Sequence, residues 1–111
     1  MSTVVYEVNL EFDRVIEAAY RAWLGEHVRE LLALPGFTGA DIYEVVDPPP
    51  TAGRIGLSVR YHLRDAEALE ADLRDHAARL RADGLQRFGE EGVRIRRRVL
   101  RATRIDQGQS S

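Results

Sequence analysis

Cysteine and lysine are both absent from this chain of 111 residues. Without cysteine there is no disulfide framework, no thiolate metal site and no cysteine nucleophile. All 16 cationic residues are arginine, so Schiff-base chemistry and the phosphate-binding lysine of nucleotide loops are excluded as well. These two absences remove several classes of enzyme before any pattern is considered.

Long apolar runs are missing too. No uninterrupted apolar stretch approaches the roughly 20 residues of a membrane-spanning helix, and the first residues lack the basic and apolar segments of a signal peptide. The formal net charge of −2 is too close to neutral to indicate a polyionic partner. We therefore expect a soluble cytoplasmic protein, with one domain over residues 3–105 and a disordered polar tail over 106–111.

Hydrophobic periodicity predicts the first half of the fold. Residues 4–12 alternate between apolar and polar side chains, which is typical of a strand with one buried face. Asp13 is a natural N-cap, and an apolar stripe at three- and four-residue steps predicts a helix to about residue 34. Pro35-Gly36 ends that helix, and a less regular strand follows over 37–46.

The second half repeats this order. A hairpin loop over 47–53 leads into a strand over 55–63 that alternates clearly. Asp65 caps a second helix, which is marked by an apolar stripe of Leu69, Leu73, Ala77, Leu80 and Phe88. Residues 93–105 form the last strand. The sequence therefore predicts an α+β, ferredoxin-like βαββαβ domain with two helices on one face of a four-stranded antiparallel sheet.

Two helices cover only one face of such a sheet, and the opposite face is called the open face below. From the two clear strands we expect it to carry Val5, Glu7, Asn9, Glu11, Ser58, Arg60 and His62. Tyr43 and Val45 join it if Ala40 and Ile42 face the helices. A mixed face of this kind is compatible with a solvated surface, a lined cavity or a dimer contact.

Landmarks along nearly the whole chain carry a resemblance to a known family. They are Tyr6-Glu7-Val8-Asn9-Leu10, Trp23-Leu24, His27-Val28, Leu31-Leu32, Pro35-Gly36-Phe37, Val59-Arg60-Tyr61, His76-Ala77, Leu80-Arg81, Gly84, Arg87-Phe88-Gly89 and Arg97-Arg98. With them the chain resembles a bacterial domain-of-unknown-function family of the dimeric α/β-barrel superfamily. The resemblance implies the fold and a homodimer, and it assigns no residue a role because that family has no known activity.

The candidate site that follows from the strands lies on the open face. If the first and third strands are neighbours, His62 comes close to Arg60, Glu7 and Asn9. Arg60 would then bind a carboxylate or enolate oxygen, Asn9 would donate a hydrogen bond to it, and His62 or Glu7 would move a proton. Arg60 and His62 are the catalytic candidates.

The remaining ligand-binding candidates are weaker. Tyr43 and Ser58 share the open face with Glu7 and Asn9. His27 lies on the core-facing stripe of the first helix, where it is either a histidine satisfied by a backbone carbonyl or a general base or haem ligand beside a cavity. The three histidines offer no closely spaced pair, so we expect no metal site, and no cofactor is indicated.

Arginines are concentrated in the last strand. Alternation divides them between Arg94, Arg96, Arg98 and Arg104 on one face and Arg97 and Arg101 on the other. Acidic residues on the second helix, Asp72 among them, offset this charge, and no aromatic platform is interleaved with the arginines. An edge strand protected by charge explains the pattern better than nucleic-acid binding does.

Three functions remain open. The first is a dimer that binds a small organic ligand, in a cavity on the open sheet face or between helices and sheet. The second is a cofactor-independent isomerase or monooxygenase of a small aromatic or enolisable substrate. The third is nucleic-acid binding through the arginine-rich strand. A pocket holding His62, Arg60 and Asn9 would favour the enzyme.

Overall fold

The computed structural model describes residues 3–89 and 92–103. Its strands are β1 (Val4–Asp13), β2 (Phe37–Glu44), β3 (Arg54–Leu63) and β4 (Val93–Arg101). Its helices are α1 (Glu17–Leu32), α2 (Ala66–Asp72) and α3 (Ala78–Phe88), with a 3₁₀ turn at Arg14–Ile16 and a π-helical segment at Leu73–Ala77. The predicted α+β, ferredoxin-like fold is confirmed.

The sheet has the strand order β2-β3-β1-β4, and each neighbouring pair is antiparallel. The two cleanly alternating strands, β1 and β3, are therefore central and adjacent, as the candidate site required. The arginine-rich β4 lies at one edge and β2 at the other. This order confirms the prediction that β4 is an edge strand.

The register decides which side chains share a face, because residues directly opposite each other in a sheet point to the same side. Glu7 lies opposite Arg60 on one side and Arg98 on the other, and Tyr43 lies opposite Ser58. Ile42 lies opposite Val59 and so faces the helices. The predicted division of side chains between the two faces is confirmed.

The core lies between the helices and the other face of the sheet. Its strand residues include Phe12, Val59 and Leu63, each with no exposed surface, and α1 contributes Tyr20, Leu24, Val28 and Leu31. Burial of this apolar surface is the main favourable term in folding. Only one face of each central strand takes part in it, which explains the strict alternation in the sequence.

Short polar signals end and begin the helices. The Asp13 carboxylate accepts a hydrogen bond from the Val15 amide, so it caps the 3₁₀ turn that precedes α1. Gly36 has a φ of 89°, which is the left-handed conformation expected just after a helix. The Asp65 carboxylate accepts from the Ala68 amide at the start of α2. All three residues act where the sequence predicted a boundary.

The second predicted helix differs from the structure in its middle. A π-helical segment separates α2 from α3, and a π turn holds more residues than an α turn. Residues that were spaced for one face of a regular α-helix therefore no longer lie on the same face after this segment. Leu73 is 38% exposed, whereas Asp72, expected above to offset the arginine charge of the last strand, is only 3% exposed.

The last strand ends earlier than predicted, at Arg101. Arg104 and the predicted tail over residues 106–111 lie outside the described residues.

Candidate functional site

A charged network occupies the centre of the open face, around the carboxylate of Glu7. Glu7 is only 1% exposed although no helix covers it. Arg98 Nε donates to Glu7 Oε1 over 2.7 Å, and Asn9 Nδ2 donates to the same oxygen over 2.8 Å. Arg60 Nε lies 3.2 Å from Glu7 Oε2. The carboxylate is thus held by groups from three adjacent strands.

These partners also decide the charge state of Glu7. The hydrogen bond from Arg98 lowers the pKa of the Glu7 carboxyl, and the bond from Asn9 adds to this, while burial opposes it. The same pair raises the pKa of Arg98. The lowered pKa favours the ionised carboxylate of Glu7 at neutral pH.

The two predicted catalytic residues are engaged by their neighbours on the open face. The Arg60 guanidinium lies 5.2 Å from the centroid of the Tyr43 ring, a cation–π distance. His62 Nε2 lies 2.8 Å from Asp41 Oδ2, and both side chains are exposed. Ser58 is buried, and its hydroxyl has no hydrogen-bond partner in the described part of the chain.

A shallow cleft of about 300 Å³ opens on this same side of the sheet. The proline-rich loop after β2 forms one wall, with Pro48, Pro49 and Pro50. Asn9, Glu11, Arg94 and Arg96 form the other wall, together with Val45 and Gly56. Neither Arg60 nor His62 lines this cleft, so the two residues do not share a pocket with Asn9 there.

A second cavity, of about 80 Å³, lies between the helices and the sheet and is called the helix-side cavity below. Four aromatic residues line it: Tyr6, Tyr20, Trp23 and Tyr61. Its polar lining residues outside these rings are His27, Asp72, Arg81 and Arg97. Mostly apolar walls with a few polar groups are typical of small-molecule sites.

Trp23 and His27 form one wall of this cavity. They are one turn apart on α1, and their rings stack with centroids 4.9 Å apart. Trp23 Nε1 donates to Asp83 of α3 over 3.1 Å. A Cβ on Gly84 would come within 2.8 Å of the Trp23 ring, so glycine at this position allows α3 to pack closely against the indole.

Among the described residues that line the cavity, His27 is one of two with a buried side-chain atom that has no hydrogen-bond partner. Its Nδ1 is buried and makes no hydrogen bond with the residues described, so the predicted backbone carbonyl partner is not present at this atom. Burial lowers the pKa of His27, with Glu30 and Asp83 opposing, which favours the neutral imidazole.

Asp72 is the other unpartnered group. Both of its carboxyl oxygens are buried, and among the described residues neither has a hydrogen-bond partner. Burial raises the pKa of Asp72, while the nearby His76 opposes the shift. Burial also raises the pKa of the Tyr20 hydroxyl to about 12, and that of Tyr61 further still, so the phenols stay neutral.

The structure therefore divides the predicted site residues into two groups. Six share the open face: Glu7, Asn9, Tyr43, Ser58, Arg60 and His62. His27 lies on the opposite side of the sheet, in the helix-side cavity. Sequence reasoning missed Asp72, whose only signal was its position three residues after the buried Leu69 on one helix face.

Comparison with known proteins identifies the family of this chain. The family model described as "Domain of unknown function (DUF4286)" matches residues 3–102. The chain belongs to the DUF4286 family. The resemblance to a family of unknown function is thus confirmed at that level, and a comparison with curated proteins finds no match.

Solved structures share the fold of this DUF4286 chain at low sequence identity. A Deinococcus radiodurans protein, named as a candidate antibiotic biosynthesis monooxygenase, is 15% identical with a TM-score of 0.71, over 94% of this chain and 96% of its own. SnoaB from Streptomyces nogalater, named as a cofactor-independent oxygenase, is 12% identical with a TM-score of 0.68, over 96% and 98%.

Rv0793 from Mycobacterium tuberculosis is a third similar structure. It is 22% identical with a TM-score of 0.59, over 97% of this chain and 100% of its own. At these identities the similarity establishes the fold alone, because one fold carries many activities.

Within residues 3–89 and 92–103, no three side chains of His, Cys, Asp or Glu come together as a metal-binding group. Among the helices of that same part of the chain, none has the length and apolar character needed to cross a membrane.

Proposed function

We propose that this DUF4286 protein binds a small, mainly apolar organic molecule in the helix-side cavity. The observation that carries the proposal is the combination of aromatic walls with two unpartnered buried groups, His27 Nδ1 and the Asp72 carboxyl. A buried polar group without a partner costs about 1–3 kcal/mol. A ligand that hydrogen-bonds to these groups recovers part of that cost.

The proposed ligand site lies in the helix-side cavity and not on the open face, where the sequence predicted it. There Arg60 and His62 are already paired with Glu7 and Asp41, and neither lines the cleft beside the proline-rich loop. The helix-side cavity is the other location expected from the sequence, and two of its lining residues, His27 and Asp72, have buried polar atoms without partners among the described residues.

The experiment uses Trp23, the single tryptophan of the chain, as a reporter at the cavity wall. Tryptophan emission and amide chemical shifts are followed while benzyl alcohol, benzylamine and benzoate are titrated into the full chain. We expect saturable changes with at least one of them. The Val8→Phe variant places a ring in the cavity and should abolish the response.

The matched control is Val99→Phe, the same change at a residue that is 57% exposed on β4. It should leave binding unchanged. The proposal is wrong if none of the three compounds saturates the wild type, or if the two valine variants bind equally well.

For the open face, we propose that it pairs with a second copy of the chain. Tyr43 is 50% exposed there, beside charges of both signs that a two-fold related copy would complement. The resemblance described from the sequence also supports a homodimer. We also propose that the protein is bacterial and cytoplasmic, because of that resemblance and of the composition.

Light scattering after size exclusion at micromolar concentration tests the dimer. We expect twice the chain mass for the wild type and the chain mass for Tyr43→Glu, which adds a charge to the open face. Ile42→Glu is the matched control, because Ile42 is the preceding residue of β2, is 43% exposed and faces the helices. A monomeric wild type, or a monomeric control, would contradict the proposal.

A cofactor-independent isomerase or monooxygenase is the second candidate function. It is favoured by the same two groups, since neutral His27 and the ionised carboxylate of Asp72, a stronger base because its pKa is raised, could each accept a proton from an enolisable substrate. The neighbour named as a cofactor-independent oxygenase supports such chemistry on this fold. Turnover of a bound compound that is lost in His27→Gln or Asp72→Asn, with binding retained, would favour the enzyme.

A further inference from the structure

Asp72 is the feature of the helix-side cavity that restricts its ligand most. Its side chain is 97% buried by surface area, since only 3% is exposed. Both carboxyl oxygens lack partners among the residues described. Asp72 also ends α2 exactly where the π-helical segment begins, and single π turns inside helices occur frequently at functional sites.

The cavity that Asp72 lines also has aromatic walls. Tyr6 and Tyr61 stack across β1 and β3 with ring centroids 6.0 Å apart, and both lie close enough to Asp72 for its charge to act on their hydroxyls. Trp23 and Tyr20 add two further rings, with centroids 5.6 Å apart. Aromatic faces attract cations because of the ring quadrupole.

We propose that the helix-side cavity binds a small organic ammonium ion, with its charged nitrogen at the Asp72 carboxylate and its apolar part against the aromatic rings. This inference rests on the proposed function and adds the chemical class of the ligand. A buried carboxylate beside aromatic rings supplies both the counter-charge and the π surface that such a cation requires.

The cations already at the cavity do not replace this ligand. Arg81 and Arg97 line it, but both are exposed, so water and salt screen them. Burial lowers the pKa of His27, so its ring is neutral. Asp72 is far less exposed than either arginine, and a charge pair in the low-dielectric interior is stronger than one in water.

The size of the cavity agrees with a small amine. The cavity volume of about 80 Å³ is about half of the roughly 150 Å³ of a cavity that binds benzene, so only a small ligand fits without movement of the walls. Benzylamine, a ring with one aminomethyl substituent, lies at the upper limit of that size. Benzyl alcohol and benzoate have nearly the same shape with a neutral or an anionic group.

The experiment compares the affinities of these three probes for the full chain at one pH and ionic strength, by calorimetry and by Trp23 emission. We expect benzylamine to bind about tenfold more tightly than benzyl alcohol, and benzoate to bind least. Asp72→Asn should remove the preference for benzylamine and leave the affinity for benzyl alcohol unchanged. Asp75→Asn, at an exposed carboxyl nearby, is the matched control and should behave as the wild type.

The possible outcomes separate the two proposals. Equal affinities of the wild type for benzylamine and benzyl alcohol would overturn the ammonium inference and leave ligand binding in place. Tightest binding of benzoate would overturn it too, and would point to Arg81 and Arg97. If none of the probes binds, the proposed function fails with it. The comparison on the wild type needs no variant, so it decides the question even if Asp72→Asn fails to fold.

Discussion

The two faces of the sheet each hold a buried carboxyl, but only the one on the open face has partners among the described residues. On the open face, Glu7 is 1% exposed and interacts with Arg98, Asn9 and Arg60. On the helix side, Asp72 is 3% exposed and has no partner among the described residues. Accordingly, the pKa of Glu7 is lowered and that of Asp72 is raised. Burial of a charge does not by itself indicate a binding site, whereas a buried acid without partners beside a cavity does.

The largest effect should come from the packed side of the central strands. Leu57 is 1% exposed on β3, and Leu57→Ala should lower the free energy of unfolding by about 3 kcal/mol through lost burial and a residual cavity. Urea denaturation measures this. His62→Ala, on the open face of the same strand, removes only an exposed ion pair and should cost less than about 1 kcal/mol. Equal losses would mean that the two faces do not differ in packing.

An intermediate effect is expected from the centre of the open face. Glu7→Gln removes the charged acceptor of Arg98 and Asn9, and should cost about 1.5 kcal/mol because hydrogen bonds to charged groups are among the stronger ones. Glu11→Gln is the control, since Glu11 is more exposed and its carboxylate pairs, among the described residues, with Arg54 only. The control should change the free energy of unfolding less.

The pH dependence of the Glu7 effect follows from its lowered pKa. The stability that Glu7 contributes is fully present above its ordinary pKa of 4.5 and is lost as the pH falls through the lower pKa of the folded state. The difference between wild type and Glu7→Gln should therefore shrink below about pH 4.5. A difference that stays constant down to acid unfolding would argue against an ionised Glu7 network.

The effect expected from Asp72 is smaller than that of Glu7, and its sign is opposite. Because the pKa of Asp72 is raised in the folded state, the wild type should lose stability relative to Asp72→Asn as the pH rises above the ordinary value of 3.8. We expect a difference of about 1 kcal/mol at neutral pH without ligand, measured by urea denaturation across pH. A variant less stable than the wild type at neutral pH would indicate a partner for Asp72.

The fold was predictable because its signals are local. Strict alternation in β1 and β3, capping by Asp13 and Asp65, and Gly36 after α1 each depend on neighbours in sequence. The residues of the open face were predictable from the same alternation, given a fold that places β1 beside β3. Asp72 was not predictable in this way, because the π-helical segment that starts after it breaks the α-helical period on which the helix stripe was counted.

The sequence by itself determined the element order, the division of each central strand into two faces and the residues of the open face. Only the tertiary structure decided which polar groups find partners. Glu7 is paired with two cations because β3 and β4 bring Arg60 and Arg98 to it, residues distant in sequence. Asp72 and His27 are left unpartnered because helix packing over the sheet leaves a cavity there. Hydrophobic periodicity in the sequence indicates which side of a helix or strand is buried. Hydrogen bonding depends instead on the three-dimensional positions of atoms from separate elements.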